Sequence, residues 1–236
     1  MAGGHREDWG LPAYWLPRPD VARQDECAGP LGPFTDQHVL QGRGDWVPQP
    51  LPCPAWMYLT WLGESKGLLL HGSGHAAIDV FTPRVPNDRS PDAFSKQCAV
   101  FATTDGIWAI FYAILARGGV PFSFLNAALQ FGDGDGRWSP MHYYFSLSHG
   151  APAEPWRAGV VYVLPPEGFE RQLPDRIGDR PVLEPHFARQ TPVRPLAKVR
   201  VRPDDFPFLG RVARHDRERV DARSAEEPFG FPWLEP

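Results

Sequence analysis

Residues 68–81 read LLLHGSGHAAIDVF, and the group in them that can do chemistry is the imidazole of His71. It stands at the end of an apolar run and is followed at once by Gly72 and Ser73. That pattern is expected of a buried strand that delivers a side chain to a site. His75 and Asp79 follow at four-residue intervals, a spacing that on a helix would line up three metal ligands. The glycines between the histidines oppose that helix, since each costs about 1 kcal/mol in a helix interior. A strand ending at His71 sends the three side chains apart, so no metal is expected. The chain contains no G-x-S-x-G elbow, no G-x-x-x-x-G-K-[ST] phosphate loop and no complete G-x-G-x-x-G. Its three cysteines, Cys27, Cys53 and Cys98, lack metal-ligand spacing and are too few for a disulfide framework.

The elements that must position His71 can be read around it. GLLLHG at 67–72 and AVFAT at 99–103 predict two buried strands. A helix is expected over 106–117, capped by Thr104 and Asp105 and stopped by Gly118 and Gly119. Ile107, Ile110, Phe111, Ile114 and Leu115 form its core-facing stripe. Ala109, Tyr112, Ala113 and Ala116 share the other side, and none is charged. A helix with two non-polar faces is either fully buried or lines a pocket, here as a flat floor bearing a single ring. MHYYFSL (141–147), AGVVYVL (158–164) and PVRPLAKVRV (192–201) predict further strands. The Gly/Asp-rich loop near 130–140 lacks the later acidic ligand of a calcium loop. Many strands with one or two helices imply an α+β fold.

Residues 1–56, rich in Pro, Gly and Trp, read as an irregular extension without long helices that packs on a core spanning 57–210, and residues 211–236 read as a tail. Apolar residues make up 42% of the chain, enough for a sizeable core. A net charge of −4 and a pI of about 6.1 do not call for nucleic acid, and no long basic run points to a membrane surface. The N-terminal sequence has no apolar signal segment, and the longest apolar stretch falls short of the ~20 residues that cross a bilayer. A cytoplasmic location, or export without a cleavable signal, is expected.

Four separated segments then carry a resemblance. Strand-HGS, a later Y-F-A, and a small residue and a tyrosine eight and eleven positions beyond that first tyrosine are the order found in the histidine–tyrosine–acid branch of the ADP-ribosyltransferase superfamily. Phe101 stands at the first tyrosine, and counting on gives Ala109 and Tyr112, two residues of the floor deduced from helix periodicity. LLHGS, AVFATTDGIWAIFYAIL, GVVYVLPPEGFE and RQTPVRPLAKV also resemble, in order, the segments of bacterial rifamycin ADP-ribosyltransferases. The resemblance covers about residues 67–206 and implies a split antiparallel β-sheet core, an ADP-ribosyltransferase-like domain over 57–210, and NAD as substrate.

The resemblance implies a role for each matching position. Backbone at Gly72 grips the nicotinamide amide and His71 holds a ribose hydroxyl. Ser73 completes the H-G-S motif, Ala109 leaves room for the ring, and Phe101 and Tyr112 sandwich it. Such transfer breaks the ribose–nicotinamide bond through an oxocarbenium-like transition state, with an acid group orienting or deprotonating the acceptor hydroxyl. The polymerase pattern puts Gln190 at the acid position, and an amide cannot take a proton. The rifamycin-type pattern points to Glu170, and Glu184 is a third possibility. The acceptor is open among protein, nucleic acid and small molecule, and the 130–140 loop is expected on its side. Two alternatives stay beside this one. NAD-dependent removal of RNA 2′-phosphates needs several basic residues near the His71 and Tyr112 motifs, where few occur. A non-catalytic, partner-binding module of the same fold is the reading that a glutamine at 190 invites.

Overall fold

Asp105 begins the helix that organises the molecule. Its side chain accepts the Trp108 backbone N–H at 2.8 Å, as an N-cap should, and the stripe Ile107, Ile110, Phe111, Ile114 and Leu115 is fully buried. The structure is a computed structural model that describes residues 9–20, 24–86, 92–118 and 120–234, with side chains from residue 29 onward in the second stretch. Gly119, the side chain of Cys27 and the first eight residues lie outside it. In chain order the elements are β1 (Leu16–Pro17), α1 (Gln24–His38), β2 (Asp45–Trp46), α2 (Ala55–Lys66), β3 (Leu69–Ser73), β4 (Val100–Thr103), α3 (Gly106–Ile114), β5 (Phe124–Phe131), β6 (His142–Ser148), β7 (Gly159–Leu164), β8 (Glu170–Arg171), β9 (Asp175–Ile177), β10 (Arg180–Leu183), β11 (His186–Arg189), β12 (Ala197–Val201), β13 (Ala213–His215) and α4 (Arg217–Glu226).

The fold is α+β, with two mostly antiparallel sheets. One has the order β1-β6-β5-β10-β9, with β13 also pairing β6, and the other runs β2-β12-β7-β3-β4-β11-β8. Helix α3 lies between them. Its stripe packs on Val161, Val163 and Val199 of the second sheet and on Tyr143, Phe145 and Leu147 of the first. Strand β7 is buried along its whole length because Tyr162 and Leu164 on its other face meet Phe81 and Val193. This two-sided cover explains the unbroken apolar run GVVYVL.

Several expectations are corrected. Residues 24–38 form a 15-residue helix containing Pro30 and Pro33, where the proline content argued against one. Tertiary packing overrides the local penalty, because Leu31 and Thr35 of α1 are buried and Phe34 meets Tyr58 of α2 edge-on at 5.7 Å. Helix α3 stops at Ile114, before the expected glycines. There Leu115 turns extended and bridges Trp156, the Ile114 carbonyl accepts the Arg157 N–H, and the Ala116 N–H donates to the Pro155 carbonyl. The last long strand begins at Ala197, not Pro192, since Pro195 has no N–H to give a ladder. Both flanking segments join the sheets: β1 pairs β6, β2 pairs β12, and β13 pairs β6. The expected tail contributes α4 and buries Val220 and Trp233. Among the described residues no helix is long and apolar enough to cross a membrane.

Asp105 is 1% exposed and serves more than its helix. Its second oxygen accepts from Arg18 at 2.7 Å and from the Tyr143 hydroxyl at 2.6 Å. Arg18 also bonds the Tyr143 oxygen at 3.0 Å and pairs with Glu64 of α2 at 2.7 Å. Burial, reinforced by the neighbouring Asp105 charge, pushes the Tyr143 phenol well above its usual 10. Replacing Asp105 with alanine removes the cap and the acceptor shared by Arg18 and Tyr143, leaving the largely buried guanidinium with Glu64 as its carboxylate partner. Denaturant unfolding of Asp105→Ala should show a loss of about 2–4 kcal/mol, and a loss below about 1 kcal/mol would contradict this account of the network.

Candidate functional site

Strands β3 and β4 share one residue pair, Leu70 with Thr103, and then separate. Strand β3 continues to Ser73 paired with β7, so its other edge opens on a cavity of about 350 Å³. Leu70, His71 and Gly72 form one side of it, and Phe101, Ala102 and Thr103 another. Trp108, Ala109 and Tyr112 of α3 make the floor. Asn126, Ala127 and Leu129 of β5 and residues 175–177 and 182 of the β9–β10 hairpin close the far side. Phe229, Phe231 and Trp233 complete the wall from the C-terminal segment. Size and aromatic lining suit a small-molecule ligand.

Local packing explains why the floor sits where it does. A Cβ on Gly72 would fall 2.0 Å from the Ala109 carbonyl oxygen, so α3 rests directly on the β3 backbone. Gly159 of β7 makes the same contact, 2.0 Å from the Ala113 carbonyl oxygen. Only glycine admits a helix this close. His71 is thereby fixed relative to Ala109 and Tyr112. Its Nδ1 is 2.7 Å from the Phe101 carbonyl, an acceptor, so Nδ1 carries the hydrogen and Nε2 the lone pair. Its ring lies 4.6 Å from that of Phe81. Burial lowers the His71 pKa from 6.5, and Arg117 and Arg84 lower it further against the Phe101 hydrogen bond, so the imidazole is neutral at neutral pH.

The aromatic lining is ordered. Phe101 stacks on His186 at 5.1 Å and 30°, and Trp108 meets the same imidazole edge-on at 5.5 Å. Trp108 Nε1 donates to Asn126 Oδ1 at 2.5 Å and its ring lies 6.3 Å from that of Tyr112. The Arg117 guanidinium lies 5.7 Å from the centre of the Tyr112 ring. His186 Nδ1 is 2.8 Å from Gln172 Oε1 and 3.7 Å from Glu184 Oε2.

Of the sequence-derived residues, His71, Gly72, Phe101, Ala109 and Tyr112 all reach this cavity. Ser73 does not line it, and its hydroxyl instead accepts the His75 N–H at 3.1 Å. Gln190 lies at the exposed surface, donating to Gln97 Oε1 at 2.9 Å. The strand that borders β4 is β11, with Ala188 opposite Phe101, and Gln190 lies beyond its end. Glu170 is exposed on β8 and faces a neighbouring groove of about 340 Å³ that shares Asp92, Gln172 and Asp175 with the cavity. Glu184 is on the cavity wall, where the chain crosses from β10 to β11. No residue of the 130–140 loop lines the cavity, and Asp133 closes that loop on itself by accepting the Asp135 and Arg137 N–H groups.

His186, Trp108 and the C-terminal aromatics were missed. Glu184-Pro185-His186 offered a signal, a carboxylate and an imidazole held apart by a rigid residue, as did three large aromatics within a supposed tail. His71, His75 and Asp79 diverge, with Asp79 placed 3.8 Å from Lys198, and among the described residues no three potential ligands cluster around a metal position. No protein-family model, curated protein or solved structure matches the chain.

The depressed His71 pKa has a pH consequence. The unfolded chain binds a proton at His71 near pH 6.5 while the folded chain resists it, so this residue contributes stability that is present above 6.5 and fades as pH falls below it. A titration of the ring followed by NMR should find its midpoint below 6.5, whereas a midpoint at or above that value would contradict the burial described.

Proposed function

We propose that this protein is an NAD-dependent, ADP-ribosyltransferase-like enzyme that breaks the nicotinamide–ribose bond and passes ADP-ribose to an acceptor. The observation that carries the reading is the convergence of His71, Gly72, Phe101, Ala109 and Tyr112, from three separate elements, on one cavity with Glu184 at its wall. Ala109 beside the Tyr112, Trp108 and Phe101 rings suits a planar pyridine ring. A neutral His71 offers Nε2 to a ribose hydroxyl. Asn126 gives its oxygen to Trp108, which leaves its amide N–H groups available to a polar ligand.

Glu184 is the acid this reading assigns. In the transfer the bond from ribose C1′ to the nicotinamide nitrogen breaks, and its electron pair leaves with nicotinamide, neutralising the pyridinium. The acceptor oxygen or nitrogen bonds to C1′ as its proton passes to the Glu184 carboxylate. Water as acceptor gives free ADP-ribose by the same steps. Among the described residues, the charged groups lining the cavity are Asp92, Asp175 and Glu184 against Arg117 and Arg176. That balance does not favour a phosphorylated RNA.

The test is incubation with NAD and measurement of nicotinamide release, with NAD binding followed by calorimetry. Glu184→Gln should lower release by about 10²–10⁴-fold, while Glu170→Gln and Gln190→Ala should keep the wild-type rate. Equal losses in all three variants would contradict the assignment of the acid. Wild-type protein that neither binds NAD nor releases nicotinamide would overturn the reading.

A further inference from the structure

Resting on that reading, we propose that His186 is a positioning residue for the Glu184 carboxylate, acting through the N–H at its Nδ1. His186 opens β11 two residues after Glu184, across Pro185. The Pro185 carbonyl accepts the Thr104 N–H at 3.3 Å, which pins this crossover to the start of α3. The imidazole plane is set by its stack on Phe101 at 5.1 Å and its edge contact with Trp108 at 5.5 Å.

Gln172 sets the rest. Its side chain is buried, its backbone N–H donates to the His186 carbonyl at 2.9 Å, and its Oε1 lies 2.8 Å from His186 Nδ1. An amide oxygen only accepts, so Nδ1 carries the hydrogen. Glu184 Oε2 lies 3.7 Å from this same nitrogen. The positive edge of the ring thus faces a neutral acceptor within bonding distance and a carboxylate just beyond it. Gln172 holds the Nδ1 hydrogen, and the positive edge of the fixed ring attracts the adjacent Glu184 carboxylate and keeps it at the cavity wall. Phenylalanine would serve packing equally well but carries no donor.

Three substitutions at 186 separate donor from ring. His186→Phe keeps the aromatic stack and loses the N–H. His186→Asn loses the ring and restores a donor where Nδ1 stood, and His186→Gln restores one where Nε2 stood. In nicotinamide release from NAD, His186→Phe should lose about 10²-fold in kcat with KM for NAD close to wild type, and His186→Asn should recover most of the loss. Wild-type kcat in the Phe variant, or a change confined to KM, would overturn the role. Should the Phe variant fail to fold by thermal unfolding, the Asn and Gln variants decide. A higher kcat for Asn supports the proposal and equal values overturn it. If wild-type protein neither binds NAD nor releases nicotinamide, the functional reading falls and this role with it. If wild type is active while these variants behave alike, the role alone falls.

Discussion

A single carboxylate, buried to 1% exposure, holds the site together. Asp105 caps α3, neutralises Arg18 from the N-terminal segment and takes the Tyr143 hydroxyl from β6. An unpaired charge at that depth would cost several kcal/mol, so these elements are obliged to meet at one point. The cap also orients the first turn of α3, from which Trp108 and Ala109 face the cavity. Gly72 and Gly159 then let the helix backbone lie directly on β3 and β7. Because neither strand can slide without striking a helix carbonyl, His71 and Tyr112 keep a fixed relation although forty residues of chain separate them. The N-terminal segment, which reads as an appendage, is a structural partner of the cavity through Arg18.

Local signals made half of the site legible. Three leucines before His71 and the periodic stripe of α3 are short-range patterns, and each gave the right element in the right place. Ala109 and Tyr112 could be placed on one face because a helix repeats every 3.6 residues, while the step to them from Phe101 on β4 came from the resemblance. The other half is made by pairings that no local pattern encodes. Strand β11 borders β4 after more than eighty residues of intervening chain. Its short HFAR sequence is weaker as a strand signal than PVRPLAKVRV, so β11 was not read as a strand. Glu184 and His186 owe their position to the crossover between the sheets.

The C-terminal wall was illegible for a different reason. Pro228, Phe229, Phe231 and Trp233 occur in a proline-rich stretch without periodicity, which reads as tail. Trp233 is instead buried, and the half-buried Phe231 packs on the first sheet, 6.0 Å from Trp15 and 5.7 Å from Tyr144. The Arg176 guanidinium sits 4.5 Å from the Phe229 ring, tying that wall to the β9–β10 hairpin. Proline content was equally misleading over α1, where burial of Leu31 and Thr35 outweighs two prolines. In both segments, composition described the backbone's preferences while aromatic and aliphatic burial decided the outcome.

The cavity that results is mainly aromatic and apolar, with a neutral imidazole on one side, a phenol on the floor and a carboxylate where the two sheets exchange chain. Its proposed chemistry stands on one physical statement: a pyridine carboxamide lies over Ala109, against the Tyr112 ring, with its amide at Gly72. A crystal structure of the protein soaked with nicotinamide tests this most directly. The account predicts planar density over Ala109 in contact with Tyr112 and the backbone at Gly72. Density elsewhere on the protein, or an empty cavity at saturating nicotinamide, would contradict it.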